Sequence, residues 1–530
     1  MKKNTIYNAV ILLLFSFITF SARSQQLAFP TAEGSGRFAT GGRGGTIYEV
    51  TNLSNSGTGS IADAMSVGNR TIIFRVSGTI ELGDVILKPK SNTTIAGQTA
   101  PGDGICIKGR FQIDASNVII RYLRVRVDAG AKNSSGDAID ISSGSNIMID
   151  HVTASYSRDE GISCQETSNK VTVQWCLISE ALTFESHSYG SLVRGDYGDE
   201  KTYHHNLYAH NMSRLPRPGN YTDITKDPEG LHFDFRNNVV YNWQNKPGYN
   251  DDVTTVSRYN FIGNAYIKGP NSGSYPIFTE KCQVCYGYFE NNSSEGIVPS
   301  DPWSLVKLNN HTTEQAAAYK SRSYLIPMEP VTTTSPEQAK IDVLFSAGAS
   351  YPKRDIIDIR IVNDVKNKTG GLIASTANQK EGGWPALASL PAPADDDHDG
   401  MPNEWETANN LNPNDAIDRN IIGNNGYTMI EVYLNSLVDS TSTALKNLNA
   451  NFESFNVFPN PFINKIEIKL NENLSDDVSV KLYNSTGKLI LQIIPTTEQF
   501  EMNAELLQKG IYLVYIQNNG RNSSRVLLKN

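Results

Sequence analysis

Short apolar strands divided by Gly, Asn, Ser and Asp run from about Thr46 to Asn292, and they constrain the fold more than any other feature of the chain. Examples are TTIAG at Thr93, NVIIRYLRVRV at Asn117, NIMIDHVTAS at Asn146, KVTVQWCLIS at Lys170, KTYHHNLY at Lys201, LHFDFRNNVVYN at Leu231 and VSRYNFIGN at Val256. Their starts recur at roughly 22 to 32 residues, a solenoid period too short for a helix in every crossover. Asn206, Asn238, Asn260 and Asn292 follow four successive strands. An amide at a strand end can bond both the turn backbone and the Asn one coil away. Asn-rich turns of a β-sandwich would use the same residues, but the period favours an all-β chain built on a right-handed parallel β-helix.

The chain has 530 residues, enough for roughly three or four units. Residues 1–24 read as a secretory signal peptide, with two lysines, an apolar run from Ala9 to Phe20, and Ala22 and Ser24 at small-residue cleavage positions. No later segment holds about 18 uninterrupted apolar residues, so no transmembrane segment is expected in the mature chain. Five cysteines are too few for a disulfide scaffold, and apolar burial must carry the fold. Cys282 and Cys285 form a CxxC without a second pair or nearby His for zinc, so a local disulfide or buried thiols are expected. The net charge of -8 argues against nucleic acid as a partner. A polyanion would have to be held by local positive groups or bound cations rather than by the global field.

The β-helix is expected over residues 25–390, closed by the Pro-rich LPAPA at Leu390. In the next segment, 391–440, Asp395, Asp397, Asp399, Gly400 and Glu406 fit DxDxDGx5E. That pattern places calcium ligands at loop positions one, three, five and twelve and the sharp-turn glycine at six. The Pro-rich approach cannot supply an entering helix. The loop therefore resembles dockerin-type and thrombospondin-type calcium repeats more than a sensor EF-hand, with NNGYTMIEVYLNSL from Asn424 as a degraded partner. A structural Ca2+ is expected here; a solvated acidic loop is the alternative. A Ser/Thr-rich linker, 441–454, leads to residues 455–530, whose alternating strands and Gly and Asn turns read as a small antiparallel β-sandwich.

GGRGGTIYEVTNL at Gly41, SGTGSIADAM at Ser56, TIAGQTAPGDGICIKG at Thr94, GDAIDISSGSNIMIDHVTAS at Gly136, SRDEGIS at Ser157 and SRLPRP at Ser213 together resemble the polysaccharide lyase family of extracellular pectate lyases, over about residues 28–330. The resemblance implies a parallel β-helix, calcium dependence and β-elimination on α-1,4-linked polygalacturonate, the acidic polysaccharide of pectin. The chemistry suits those residue types. The C5 proton of a uronate is weakly acidic, so its neighbouring carboxylate must be neutralised and a base placed at the carbon. Calcium, a hard cation, bridges protein and sugar carboxylates. By resemblance, Arg214 is the catalytic base, Asp137 a calcium-binding aspartate and Asp159 a second acidic ligand. The stricter family pattern has acids where this chain has Ser135 and Ser163, and Asp140 or Glu160 could compensate. Gly219 stands where a second arginine is usual, which makes Arg217 its nearest substitute. His187 and Arg194 occupy the neighbourhood of a substrate-binding lysine. A guanidinium should stay protonated in a protein. Arg214 could take the proton, polarise the carboxylate or deliver a hydroxide, and the residues leave these open. A glycoside hydrolase drawing on Asp137, Asp140 and Asp159, or a non-catalytic polysaccharide-binding β-helix, are the competing readings.

FNVFPNPFINKIEIKL at Phe455, LYNSTGKLI at Leu482 and LLQKGIYLVYIQNNG at Leu506 resemble the sorting domain of the type IX secretion system of Bacteroidetes. The resemblance implies passage through the periplasm to the cell surface or the medium by the type IX machinery. A carbohydrate-binding module is the alternative for this block; it would need an exposed aromatic platform, and the block offers few aromatics in such an arrangement. A monomer is expected.

Overall fold

The computed structural model describes residues 25–128, 130, 136–183, 187–376, 383–438 and, with short gaps, 455–529. The expected signal peptide, the linker at 441–454 and Ser135 lie outside the described residues.

The recurring strands stack into a parallel β-helix with three faces. The first face starts at Thr46–Val50 and climbs through Arg70–Phe74, Thr93–Ala96 and Val118–Arg121 to Tyr286–Glu290, every neighbour parallel. The second face includes Arg124–Arg126, Thr153–Ser155, Leu177–Ser179 and Leu207–Ala209. The third includes Leu192–Arg194 and Arg217–Gly219, with Gly248–Asn250, Phe278–Glu280 and Val306–Leu308 at its far end.

Parallel, in-register stacking puts equivalent residues of successive coils above one another at about the 4.8 Å inter-strand spacing. One inward column runs Ile72, Ile95, Ile120, Ile149, Val173, Tyr203, Phe235, Phe261, Phe289. All are buried, and the column changes from aliphatic to aromatic along the axis. The rings of Phe235 and Phe261 lie 5.2 Å apart and those of Phe261 and Phe289 5.3 Å apart, within the range of favourable aromatic pairs. The helix Thr313–Ser321 follows the last coils, and its buried Tyr319 donates a 2.8 Å hydrogen bond to Glu280.

The expected Asn ladder exists, with one member changed. Asn206, Asn238 and Asn264 each donate from the side chain to the amide oxygen of the next, ending at Asn292, over 2.9–3.1 Å. The same amides donate to the coil below, for example Asn238 to the Tyr203 carbonyl. Asn264 replaces Asn260 because Asn260 lies inside the strand Ser257–Ile262, where it bonds the backbone of Ile326. The position just before the ladder adopts the left-handed conformation in successive coils, at Trp175, His205, Asn237, Gly263 and Asn291. This shared geometry makes the stacked turn a repeating device.

The helices Pro336–Ser346 and Ile356–Asn367 pack on the second face, with Val343, Ile357, Ile361 and Val365 against Leu177, Leu207, Val239 and Tyr241. The contact also buries charge. Arg126 bonds Asp355 at 2.6 Å and Asp358 at 2.8 Å, and Arg124 lies 3.2 Å from Asp355. Asp355 caps the helix by accepting from the amides of Ile357 and Asp358. Burial disfavours its charge, but the two arginines prevail and hold the carboxyl at about 2.

Residues 391–438 pack against the first face of the β-helix. Met401, Ile430, Tyr433 and Leu434 share one apolar cluster with Ile73 and Ala96 of the first face. Arg43 pairs with Glu431 at 2.7 Å, and Arg121 donates to Asn435 at 3.1 Å. Residues 455–529 form two antiparallel sheets, one of Phe455–Phe458, Lys465–Leu470 and Gln499–Asn503, the other of Ser479–Asn484, Leu489–Ile493, Gly510–Asn518 and Arg521–Lys529. Phe455, Ile466, Leu482, Val514 and Leu527 belong to their common core. Cys282 and Cys285 are joined in a disulfide. Among the described residues no helix is long and apolar enough to cross a membrane.

Candidate active site

Four successive coils carry their polar side chains in the loops that lead into the third face. Asp137, the Asp159–Glu160 pair, Tyr189 and Arg214 are far apart in sequence, but the loops are laced together by backbone bonds. The Ala138 amide donates to Glu160 at 3.0 Å, Gly161 to Tyr189 at 3.1 Å and Gly190 to Ser213 at 3.0 Å. Coil stacking thus brings three acids and an arginine to one edge.

Oxygens of Asp137, Asp159 and Glu160 lie within 4.8 Å of one another. Asp137 is buried and accepts from the Glu160 amide at 3.1 Å. Burial, reinforced by the charges of Asp140 and Asp159, pushes its carboxyl well above the usual carboxylate range. Arg214 donates to Glu160 in a tight ion pair, stands 3.9 Å from Asp159, and lays its guanidinium 3.8 Å over the Tyr189 ring. Ion pairing and cation–π contact fix the planar group on two sides. His187 is half exposed, 4.0 Å from Asp159, with its ring 5.0 Å from that of Tyr189.

A hard divalent cation fits this edge. The acids are close enough to share one ion, and Asp159 Oδ1 is buried with no hydrogen-bond partner. Glu160, not Asp140, completes the cluster: Asp140 is turned to Ser142 at 2.7 Å and Gln165 at 3.3 Å. Glu160 follows Asp159 directly, and the turn brings an oxygen of each within reach of Asp137.

The expected arginines divide. Arg194 is fully buried, paired with Asp252 and 4.0 Å from the Tyr221 ring centroid, so it is enclosed instead of offered to a ligand. Arg217 is partly exposed and shares Asp252 at 3.3 Å. Beside Arg214 opens a cleft of about 500 Å³ lined by Tyr189, Met212, Ser213, Lys246, Tyr249 and Tyr275 among others. Lys246 lies 3.0 Å from Asp251 and 4.0 Å from the Tyr249 ring centroid. Sequence reading sought a lysine in the coil before Arg214, whereas the structure places one in the coil after it. The only signal was NKPGYNDD at Asn245, another polar turn among many.

The second acidic cluster is built differently. Asp395 accepts from the Gly400 amide at 3.1 Å, Asp397 from Asp399 at 3.2 Å and Asp399 from Met401 at 2.8 Å. Each uses one oxygen to shape the loop. Their other oxygens, both oxygens of Glu406 and Oδ1 of Asp418 are buried and unpartnered. Gly400 takes a φ of 94°, which supplies the sharp turn. Burial and then the neighbouring acids push Asp399 and Glu406 up to about 7. Such crowding without donors suits a cation. Sequence reading missed Asp418, which lies beyond the twelve-residue pattern.

Comparison with known proteins adds independent findings. The family model described as "Pectate lyase" matches residues 4–221, and the one described as "Secretion system C-terminal sorting domain" matches residues 456–530. A protein of Aspergillus fumigatus named "Probable pectate lyase C" is 37% identical over 449 residues, covering 81% of this chain and 98% of the relative. The "Pectate trisaccharide-lyase" of Thermotoga maritima is 28% identical over 244 residues, covering 41% of this chain and 61% of the relative. Among solved structures, "Pectate lyase bound to hexasaccharide" is similar over 61% of this chain and 98% of that chain, at 16% identity and a TM-score of 0.44.

Proposed function

Because the chain belongs to the pectate lyase family, we propose that it cleaves α-1,4-linked polygalacturonate by calcium-dependent β-elimination at the coil edge around Arg214. It is a polysaccharide lyase, a carbon–oxygen lyase, and its sorting domain marks it for export by the type IX system. The proposed division is a signal peptide of 1–24, a catalytic β-helix over 25–390, a calcium-loop segment over 391–440, a linker over 441–454 and a sorting domain over 455–530.

The observation that carries the reading is the fixed guanidinium of Arg214, beside three converging carboxylates and stacked on Tyr189, which lines an open cleft. Asp137, Asp159 and Glu160 would hold the calcium ion, which when bound supplies positive charge to neutralise a uronate carboxylate. Arg214 is the catalytic group. Pairing with Glu160 holds it in place, and the guanidinium stabilises the negative charge that develops as a hydroxide ion from solvent takes the C5 proton to form water, while the C4–O bond breaks and the departing oxygen takes a proton from solvent. Arg217, His187 and Lys246 bind the sugar carboxylates of flanking units, and Tyr189, Tyr249 and Tyr275 offer flat faces to sugar rings. Arg194 positions Asp252, which in turn orients Arg217.

The hydrolase alternative needs two carboxyls flanking a glycosidic bond, about 6.5–9.5 Å apart if a water must fit between them. Here the acids converge on one point, and one is tied to arginine.

The test is incubation of purified protein with polygalacturonate, with calcium and with chelator, following the ultraviolet absorbance of the 4,5-unsaturated uronide. A rise only with calcium supports the reading. New reducing ends without absorbance would show hydrolysis instead.

A further inference from the structure

We infer that Asp418 completes the calcium cage of residues 395–406, and that the ion held there clamps the end of the catalytic region onto its first coils. The inference rests on the reading of that loop as a calcium site and extends it in ligand and in role.

Asp395 Oδ1, Asp397 Oδ2, Asp399 Oδ2, Glu406 Oε1 and Oε2, and Asp418 Oδ1 are six buried oxygens without a donor. Asp399, Glu406 and Asp418 are themselves buried, and their oxygens lie within 4.8 Å of one another, as do those of Asp395, Asp397 and Asp399. Six oxygens reach the lower bound of a calcium shell of about 6–8. In a loop of this pattern the ninth position often reaches the ion through water. Here that residue is Asn403, whose side chain instead accepts from the Asp396 amide at 2.9 Å. Asp418 therefore brings an oxygen that the loop itself does not provide. Four buried carboxylates and the half-buried Asp397 together would repel strongly, and Arg75, 3.7 Å from Asp395, offsets only part of that charge. A divalent ion would offset two further charges and coordinate the unpartnered oxygens.

Asp418 also connects the cage to the fold. Its second oxygen accepts from the Asn412 amide at 2.8 Å, drawing the turn at 412–418 toward the cage. The Ile421 amide bonds Asp418, and Met429 bonds Ile421, so the same residue seats the start of the helix at 429–438. That helix presents Ile430, Tyr433 and Leu434 to Ile73 and Ala96 of the first face. On the other side of the cage, Arg75 joins Glu49 at 3.2 Å and bonds the Pro393 carbonyl. The ion thus lies where the end of the segment meets coils formed at the start of the mature chain. One bound ion would stabilise an otherwise long-range closure.

The experiment uses the full chain, stripped of metal, with calcium added alone. Calorimetry compares wild type, Asp418→Asn and Asp397→Asn, each also carrying Asp137→Ala so that the catalytic edge contributes little. Trypsin digestion with and without calcium follows cleavage after Arg419. The expected result is that Asp418→Asn lowers calcium affinity by at least on the order of tenfold and loses calcium protection of Arg419. Equal affinity in Asp418→Asn would overturn the ligand assignment. Weakened affinity with unchanged protection would overturn the clamp. If Asp397→Asn binds calcium as the wild type does, the loop reading itself fails, a result distinct from either. Should Asp418→Asn not fold, protection of Arg419 by calcium in the wild type still decides the clamp.

Discussion

At the coil edge, Asp137 gives an oxygen to the Glu160 amide, Glu160 gives one to Arg214, and a single buried oxygen, on Asp159, is left without a donor. In the loop at 395–406, six buried oxygens counting that of Asp418 face inward without any donor. Both regions gather aspartate and glutamate, yet at the coil edge Arg214 pairs directly with a carboxylate, whereas in the loop Arg75 only approaches Asp395 at 3.7 Å. On the proposed reading, the difference separates an ion shared with a substrate from one held for structure. Acids that must share an ion with a substrate keep partners that satisfy them when the substrate is absent. Acids that only hold an ion are left unsatisfied without it, and bind it tightly. The expectation is a weak catalytic calcium and a strong structural one.

The largest effect should come from breaking the catalytic side. Chelation, or Asp137→Ala, should remove most activity on polygalacturonate while circular dichroism still reports the β-helix, because the coil stack does not rest on one loop. Full turnover in a rigorously calcium-free assay would reject this. Arg214→Ala should lower kcat by on the order of 100-fold or more with a smaller change in KM, as for loss of a group that acts in the transition state. Arg217→Ala should mainly raise KM. Equal loss of affinity in both, with turnover kept, would make Arg214 a binding residue.

Breaking the other side should touch stability. Asp397→Asn should abolish the calcium-dependent rise in Tm and leave kcat near wild type, since the loop contacts the first coils rather than Arg214; a matching loss of kcat would merge the two sites. Acid should destabilise the β-helix through its buried histidines. Burial lowers His204, and brings His205 to about 3, from an ordinary value of 6.5. Below about pH 6.5 the unfolded chain binds protons that the folded chain refuses, so stability should fall from there down toward pH 3. Denaturant melts across that range check the sign, and His205→Asn should flatten the slope. The smallest effect should follow deletion of residues 455–530: unchanged kcat and KM on soluble polygalacturonate, with export lost. A large rise in KM would show a carbohydrate-binding role.

Much of this was legible in the sequence because a β-helix repeats. Strand spacing and recurring Asn gave the solenoid, and DxDxDGx5E pointed to four acids that the fold gathers in one loop, Asp395, Asp397, Asp399 and Glu406. What escaped was whatever depends on a partner from another coil. Asn264 displaced Asn260 because ladder position is set by the turn, not by the nearest Asn in the strand. Arg124 and Arg126 sit in an apolar RVR run, and nothing local shows that Asp355 and Asp358 will neutralise them. Arg194 looked available until Asp252, 58 residues later, enclosed it. Glu160, Lys246 and Asp418 were missed or left open for the same reason: each is one polar residue in a polar turn until stacking says which way it faces.

The most direct test of the contrast is a calcium titration of metal-stripped full-length protein that records heat and lyase turnover on the same samples. The expected result is a tight site that fills without turnover, survives Asp137→Ala and disappears in Asp397→Asn, followed by turnover that rises only at higher calcium. Turnover that saturates together with the tight site, or a tight site that vanishes with Asp137→Ala, would contradict the division between an ion held for structure and one shared with the substrate.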